Sequence, residues 1–499
     1  MPEAPSERLQ ELSAQRREKA DALRAAGVDP YPARGGGALT RIAEARSQFE
    51  AFESAGSAQA EAPGTRVAGR ITNLRNLGKL AFLDVRDGSG AMQLMCRKNV
   101  LGDDWSVLAA LDLGDFVEAA GSMIRTRTGE ISIDASELRM LTKSLRPPPE
   151  KFHGLQDVEA RYRQRYLDLQ SNEDSRGVLV QRSQIIAAVR RFMEARGFLE
   201  VETPVLQPEA GGAAARPFLT HLNALDEERY LRIALELHLK RLIVGGLDRV
   251  YELGRIFRNE GTSTRHNPEF TMMESYQAYA DYGDVARMVE ELVSTVAQEV
   301  LGTTSVQFGT HTLELAPPWR RVTMREALQE YAGVDFFDYR DVASMTALLH
   351  EKHIAVPENA GWGKLLDALV SETVEPRLIQ PTFLLDYPVE LSPLAKRRTD
   401  EPSLVERFEA FAAGWELGNA YSELNDPVDQ RARFASQVAL QDAGDDEAEM
   451  VDEDFLVALE HGMPPTGGLG IGIDRLVMVL TNSESIRDVI LFPLLRRRG

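Results

Sequence analysis

Residues 250–277 read VYELGRIFRNEGTSTRHNPEFTMMESYQ, two apolar-rich runs joined by a polar loop from Gly261 to Glu269. Short runs around such a loop predict two paired strands. Side chains alternate faces along a strand. Arg258 and Glu260 are therefore expected on one face of the first strand, and Phe270, Met272, Glu274 and Tyr276 on one face of the second. An arginine, carboxylates and aromatic rings on one side make an odd packing surface, because buried charges need partners. An internal ion-pair network would use the same residues. The alternative is an anionic ligand held by Arg258, with Arg265 and His266 on the loop as further cationic contacts.

Two other stretches carry chemistry. In VERFEAFAAGWELGNAYSELN (405–425), Ala412-Ala413-Gly414 can turn the chain and place Glu409 and Glu416 on opposite arms. Two nearby carboxylates repel unless a cation lies between them, and Mg²⁺ favours such a site shared with phosphate oxygens. Asn419, Tyr421 and Glu423 again alternate, so all three face one way. In GGLGIGIDRLVMVLTN (467–482), glycines permit close backbone approach and a helix is expected to start near Asp474. Arg475 would then sit in the first turn, where free N–H groups already attract anions. Glycine packing is the plainer reading of that run. Together the three stretches point to a triphosphate, Mg²⁺ and a small cationic or amino-bearing substrate.

The rest of the 499 residues sets the frame. Hydrophobic residues make up 43% and charged residues 27%, enough to bury several domain cores. The net charge of −20 excludes a wholly basic nucleic-acid binder but not a locally basic face. Cys96 is the only cysteine, which removes internal disulfides, thiolate zinc sites and iron–sulfur clusters. No apolar run is long enough to span a membrane, and the polar start MPEAPSERLQ is unlike a signal peptide. A cytoplasmic protein with no membrane partner is expected. GxxxxGK[ST] is absent, since Gly78-Lys79 and Gly363-Lys364 both lead into leucine. Residues 5–26 and 40–53 read as helices. From Arg66, five strand-like runs with Asp87-Gly88 and Thr128-Gly129 turns fit a small β-barrel of the OB type. Pro147, Pro148 and Pro149 form a stiff spacer. Beyond Arg161 strands and helices mix; 176–196 is a helix ended by Gly197, and 283–300 and 323–352 look helical. The acidic run 442–454 reads as a solvated segment.

These motifs resemble the class II aminoacyl-tRNA synthetases, and within them the bacterial lysine-specific branch. GFLEVETPVLQ with Pro204 is similar to the class's first motif, FRNE with RHNPEF to the second, and GIGIDR to the third. RYRQRYLDL (161–169), GGAAARPF (211–218), LLDYPVELSPLAKR (384–397) and YSELNDP (421–427) resemble the branch's own signatures. The resemblance implies an α+β multidomain chain. Its parts would be an N-terminal helical extension and linker (1–64), an OB-fold anticodon-binding barrel (65–145) and a linker (146–160). A class II catalytic domain (161–499) would follow, an antiparallel sheet flanked by helices with a helical insertion at about 283–380.

It also implies roles. Arg258 would clamp the α-phosphate and the lysine carboxylate, with Arg475 as the second catalytic cation. Glu260 and His266 would contact ATP, Phe270 would stack on adenine, and Arg265 and Arg475 would hold the outer phosphates. Glu409 and Glu416 would carry Mg²⁺, Glu416 touching ATP as well. For lysine, Gly212 and Glu236 would receive the α-amino group and Asn419 the carboxylate. Glu423 and Tyr276 would take the ε-ammonium, with Glu274 and Tyr421 in the same pocket. Arg75, Phe82, Gln93 and Glu130 would bind the anticodon of tRNA(Lys), and the first motif would form a homodimer interface. A basic surface for tRNA is expected at Arg66, Arg70, Arg75, Lys79, Arg146 and Lys151. Two positions depart from the branch. Leu235 precedes Glu236 where proline is usual, so that loop is expected to be less rigid; Trp415 stands where arginine is common, changing the charge beside Glu416. A ligase for aspartate or asparagine, a lysine ligase acting on a protein, and a nucleic-acid-binding module with an inactive catalytic domain are the competing readings.

Overall fold

A computed structural model describes residues 7–56, 62–149, 155, 157–213, 215–357, 360–442 and 451–496. Lys151 and most of the acidic run lie outside the described residues. The chain divides into two units, residues 1–158, 166–171 and 497–499 in one and 159–165 and 172–496 in the other.

In the first unit, helices α1 (Glu7–Ala25) and α2 (Ile42–Ser54) precede five strands. These are β1 (Gly64–Asn76), β2 (Leu80–Arg86), β3 (Ala91–Arg97), β4 (Phe116–Arg125) and β5 (Ile131–Thr142). They close into a barrel in the order β1-β2-β3-β5-β4, with only β3 and β5 parallel. Alternation along β2 sends Ala81, Leu83 and Val85 inward and leaves Phe82 and Asp84 outside. The region before the barrel is more than a linker, for Ile42, Ala45 and Phe49 of α2 are buried in the barrel's own core. The expected basic face is also smaller. Arg66 is bound to Glu118 and Glu137, and Arg70 lies over the Phe116 ring and donates to Gly114 O.

The second unit is built on eight strands. Their ranges are β6 (Leu199–Glu200), β7 (Arg249–Phe257), β8 (Glu269–Ala278), β9 (Arg320–Thr323), β10 (Thr382–Leu385), β11 (Arg407–Ala412), β12 (Trp415–Ser422) and β13 (Thr466–Gly472). The sheet order is β9-β10-β11-β12-β13-β8-β7-β6, antiparallel except at its two outer pairs. One face carries α3 (Glu173–Ala195), α5 (Tyr282–Leu301) and α6 (Ile473–Leu480), around a core that includes Val189, Phe192, Val289, Leu292, Leu476, Phe408 and Ile471. Helix α4 (Glu236–Val244) belongs to a second cluster with Phe434 and Phe455. Asn172 caps α3 by accepting from Asp174 N and Ser175 N, and the helix ends ahead of Gly197 at φ +77°. The stretch expected as a helical insertion is mixed. Helix α5 lies in the principal core, β9 is an edge of the main sheet, and the helices Met324–Ala332, Val342–Glu351 and Trp362–Thr373 form a core of their own. Its apolar spacing was helical; the tertiary placement of β9 is not a local property.

Candidate active site

The other face of the sheet, with the loops and helices around it, walls a cavity of about 710 Å³. Strand β8 contributes Phe270, Met272, Glu274 and Tyr276, the face expected from alternation. Arg258 and Glu260 also line the cavity, but not as strand residues. Strand β7 stops at Phe257, where Arg258 N donates to Pro268 O at 2.8 Å and Asn259 N to Arg216 O at 2.7 Å. The loop that follows carries Arg265 and His266 to the same cavity. Strands β11 and β12 form a two-residue hairpin at Ala413 (φ +57°) and Gly414 (φ +73°), the left-handed pair such a turn requires. Glu416, Asn419 and Tyr421 of β12 and Glu423 just beyond it face the cavity, as do Gly212, Glu236 at the start of α4, and Arg475 in the first turn of α6.

The cavity is polar in two senses. At one end lie arginines. The Arg258 guanidinium sits 5.3 Å over the Phe270 ring and bonds Ile233 O at 3.3 Å; desolvation lowers its pKa while Glu260, Glu416 and Glu274 oppose that. Arg475 donates to Glu416 O and Oε2, both at 2.9 Å. Burial and the neighbouring Arg475 and Arg265 hold His266 below the ordinary imidazole range, so it is a neutral ring among cations. At the other end lie buried carboxylates. Glu274 accepts from Leu235 N at 3.0 Å and from the Tyr276 hydroxyl at 3.3 Å. Burial pushes Glu274 up to about 7, and that of Tyr276 well above the usual phenol. Glu236 accepts from the Tyr421 hydroxyl at 2.6 Å. Glu423 is 1% exposed, and neither of its oxygens carries an aligned hydrogen bond.

Glu409 departs from the expected arrangement. It is absent from the cavity lining; Arg407, which does line it, holds the carboxylate at 2.6 Å. Burial, and then Glu416 against the pull of Arg407, push Glu409 up to about 8. A carboxylate raised by a neighbouring one suits a divalent ion, and among the described residues no group of three or more His, Cys, Asp or Glu is placed to hold a metal by itself. Such an open site matches Mg²⁺ completed by phosphate oxygens.

The two departures at 235 and 415 have physical readings. Leu235 is fully buried, and its N–H anchors Glu274, a donor that proline could not supply. The loop ahead of Glu236 is therefore tied down, contrary to expectation. Trp415 places its ring 4.8 Å beneath the Arg265 guanidinium and edge-on to Phe308. Sequence reasoning missed Lys240, Arg407 and the cavity-lining Trp362 and Lys364. Lys240 was findable, one helical turn after Glu236; Trp362 and Lys364 reach the cavity through tertiary folding that no local pattern marks.

On the barrel, Arg75 opposes Phe82 across β1 and β2, its guanidinium 5.7 Å over the ring. Gln93 opposes Asp84 and accepts from Ser132 at 3.1 Å, and Glu130 lies in the exposed turn before β5.

Comparison with known proteins agrees with this architecture. Residues 157–496 match the family model for class II tRNA synthetases (D, K and N), and residues 65–141 that for an OB-fold nucleic-acid-binding domain. The chain is 58% identical over 490 residues to a lysine–tRNA ligase of Dehalococcoides mccartyi, covering 98% of both. It is 53% identical over 487 residues to one from Moorella thermoacetica, covering 97% of this chain and 98% of that one. Against one from Listeria innocua it is 52% identical over 486 residues, 97% of each. With the motifs, the sheet and the barrel all accounted for, the chain belongs to the class II tRNA synthetases.

Proposed function

We propose that this chain is a lysine–tRNA ligase, which joins L-lysine to ATP as lysyl-adenylate and then passes lysine to the 3′ end of tRNA(Lys). The observation that carries the reading is one cavity with arginines at one end and the buried carboxylates Glu236, Glu274 and Glu423 at the other. An acidic amino acid would require the opposite charge there, and a neutral amide would leave the buried carboxylates without a cationic partner, so an aspartate or asparagine ligase fits poorly.

The lysine carboxylate is ionised at neutral pH and needs no general base. One of its oxygens attacks the α-phosphorus of ATP; a P–O bond forms as the bond to pyrophosphate breaks. Arg258 holds both partners in line and neutralises the charge that develops between them. Phe270 stacks on adenine, Glu260 and His266 orient the nucleotide, and Arg265 and Arg475 take its outer phosphates. Asn419 orients the carboxylate; Gly212 and Glu236 receive the α-amino group; Glu423, Tyr276, Glu274 and Tyr421 surround the ε-ammonium. Glu409 and Glu416 would hold Mg²⁺, which supplies charge neutralisation at the phosphates when bound. The tRNA hydroxyl then attacks the acyl carbon of the mixed anhydride; the new ester C–O bond forms as the C–O bond to the phosphate breaks, the hydroxyl proton passes to a phosphate oxygen, and AMP leaves.

The barrel supports tRNA binding through Phe82, able to stack on a base, with Arg75, Gln93 and Glu130 around it. Exposed Leu199, Leu206 and Leu219 support a homodimer through the first-motif region. Among the described residues no helix is long and apolar enough to cross a membrane, and we place the enzyme in the cytoplasm with its tRNA. An amino-acid screen of ATP–pyrophosphate exchange tests the reading. Lysine alone should support exchange, and Arg258→Ala should abolish it; exchange with aspartate or asparagine, or exchange unaffected by Arg258→Ala, would overturn it.

A further inference from the structure

Lys240 has no part in the roles above. It is fully buried on α4, one turn beyond Glu236, and it does not line the cavity. Its Nζ lies 2.5 Å from Glu236 Oε1 and is paired with Glu423 Oε2, and it sits over the rings of Tyr421 (5.6 Å) and Phe455 (5.8 Å). A lysine so enclosed is unfavourable unless its charge is answered. Here it is answered twice, by the two carboxylates proposed to receive the two ammonium groups of the substrate.

The charges that meet at this end of the cavity come from every element packed around it. Helix α4 supplies Glu236 and Lys240, and β8 supplies Glu274 with the Tyr276 hydroxyl. Strand β12 and its end supply the Tyr421 hydroxyl and Glu423, and the loop after β7 supplies Arg258. Three carboxyl groups meet the single ammonium of Lys240 here, with Arg258 at the border toward the arginine end, so acceptors outnumber donors where a dibasic amino acid would bring its ammonium groups.

We infer that Lys240 is a positioning residue for substrate selection, a built-in counter-ion behind the cavity wall that offsets the crowding of Glu236 and Glu423 and holds both aimed at a dibasic amino acid. The inference rests on the lysine–tRNA ligase reading. Burial pushes Glu423 far above the ordinary carboxylate range, and Lys240 is the leading group that opposes it. Removing that ammonium takes away the main pull toward the charged form, so the neutral form of Glu423 is favoured further and the substrate's ammonium is received less well. Geometry assigns the two oxygens of Glu423 different tasks. Oε2 faces Lys240, while a methyl group built on Gly468 would meet Oε1 at 1.8 Å, which places Oε1 against a cavity-lining glycine.

The test uses the full-length chain and two neutral variants, Lys240→Met and Lys240→Gln, in pyrophosphate exchange with lysine or norleucine (lysine without its ε-ammonium) from pH 6 to 9. Each unit by which the Glu423 pKa overshoots the assay pH lowers its ionised fraction tenfold. The kcat/KM for lysine should fall by roughly tenfold or more at neutral pH. Its acidic limb should move to higher pH, the preference for lysine over norleucine should narrow, and KM for ATP should hold within about twofold. The glutamine variant keeps a neutral donor beside the carboxylates and carries the test should the methionine variant not fold. An unmoved pH profile in Lys240→Gln, or losses that fall equally on lysine and ATP together with a lower Tm, would overturn the inference. A wild-type chain that fails to activate lysine overturns the parent reading instead.

Discussion

Gly468→Ala is the sharpest single test of how the cavity reads an ammonium group. Gly468 lies on β13 opposite Tyr276 of β8 and Tyr421 of β12. A Cβ there would stand 1.8 Å from Glu423 Oε1 and 2.7 Å from Tyr276 Cε1, where ordinary contact begins at 3.4 Å. The carboxylate would have to retreat by about 1.6 Å, and the tyrosine ring by about 0.7 Å. Neither has free room, since Glu423 is paired with Lys240 and both residues are buried. A charge-assisted hydrogen bond drawn out by that much is largely lost, a change of roughly 1.5–3 kcal/mol. With 1.36 kcal/mol to each factor of ten, kcat/KM for lysine should drop about 10- to 150-fold. Gly468 is not in the left-handed region, so the backbone accepts alanine, while the crowding of two buried groups should cost roughly 1–3 kcal/mol of stability. ATP is proposed to bind at the opposite end of the cavity, and its KM should stay within about twofold. The assay is pyrophosphate exchange with each substrate varied in turn. Retention of wild-type kcat/KM for lysine, or equal losses for lysine and ATP, would refute the assignment of Glu423 to the ε-ammonium.

Other perturbations address the remaining parts of the site. Trp415→Arg removes a cation–π contact worth roughly 0.5–1 kcal/mol and sets a like charge beside Arg265, so KM for ATP in exchange should rise at least two- to fivefold while KM for lysine holds. Because the folded Glu274 pKa is about 7, above its ordinary 4.5, the ligand-free fold holds a proton that the unfolded chain lacks. That contribution to stability is full below 4.5 and lost as pH rises through 7, so Tm should decline across this window and Glu274→Gln should lessen the slope. Phe82→Ala should reduce kcat/KM for tRNA charging by the roughly 1–3 kcal/mol of a stacked base, leaving exchange without tRNA unchanged.

Much of this was legible in the residues because it is local. The alternation of Phe270, Glu274 and Tyr276 put three cavity residues on one face of β8, and the alternation of Asn419, Tyr421 and Glu423 placed a second wall. Gly197 marked the end of α3, and Asp474 lies one residue after the start of α6. What escaped was set by register and tertiary contact. Arg258 was expected on a strand, but the chain pairs Arg258 N with Pro268 O and leaves the sheet just before it. Glu409 and Glu416 do sit on opposite arms of a hairpin, yet a bulge between Ala410 and Phe411 sets Glu409 opposite Asn419, and Arg407 occupies its carboxylate. No periodicity in the sequence marks a bulge. Leu235 was read as loosening its loop because proline stiffens a backbone; a hydrogen bond from the N–H that proline lacks has the opposite effect.

The glycines of β13 connect these walls. In GGLGIG, Leu469 and Ile471 point into the core while Gly468, Gly470 and Gly472 form part of the cavity lining. Their neighbours on β8 are Tyr276, Glu274 and Met272, and on β12 Gly468 opposes Tyr421 and Gly470 opposes Asn419. Any side chain at these three positions would fill the space that the flanking strands surround with functional groups. The strand therefore also sets an order. Gly468 lies beside the residues proposed for the ε-ammonium, Gly470 beside Asn419 proposed for the carboxylate, and Gly472 against Arg475, proposed for the phosphates. Four residues of strand rise about 13 Å, so an extended amino acid and the phosphate it attacks can lie end to end along β13. The same alternation that buries Leu469 and Ile471 thus lays out the line proposed for the reaction. A slip of one residue in this strand would turn leucine and isoleucine into the cavity, so β13 has one register compatible with both core and chemistry.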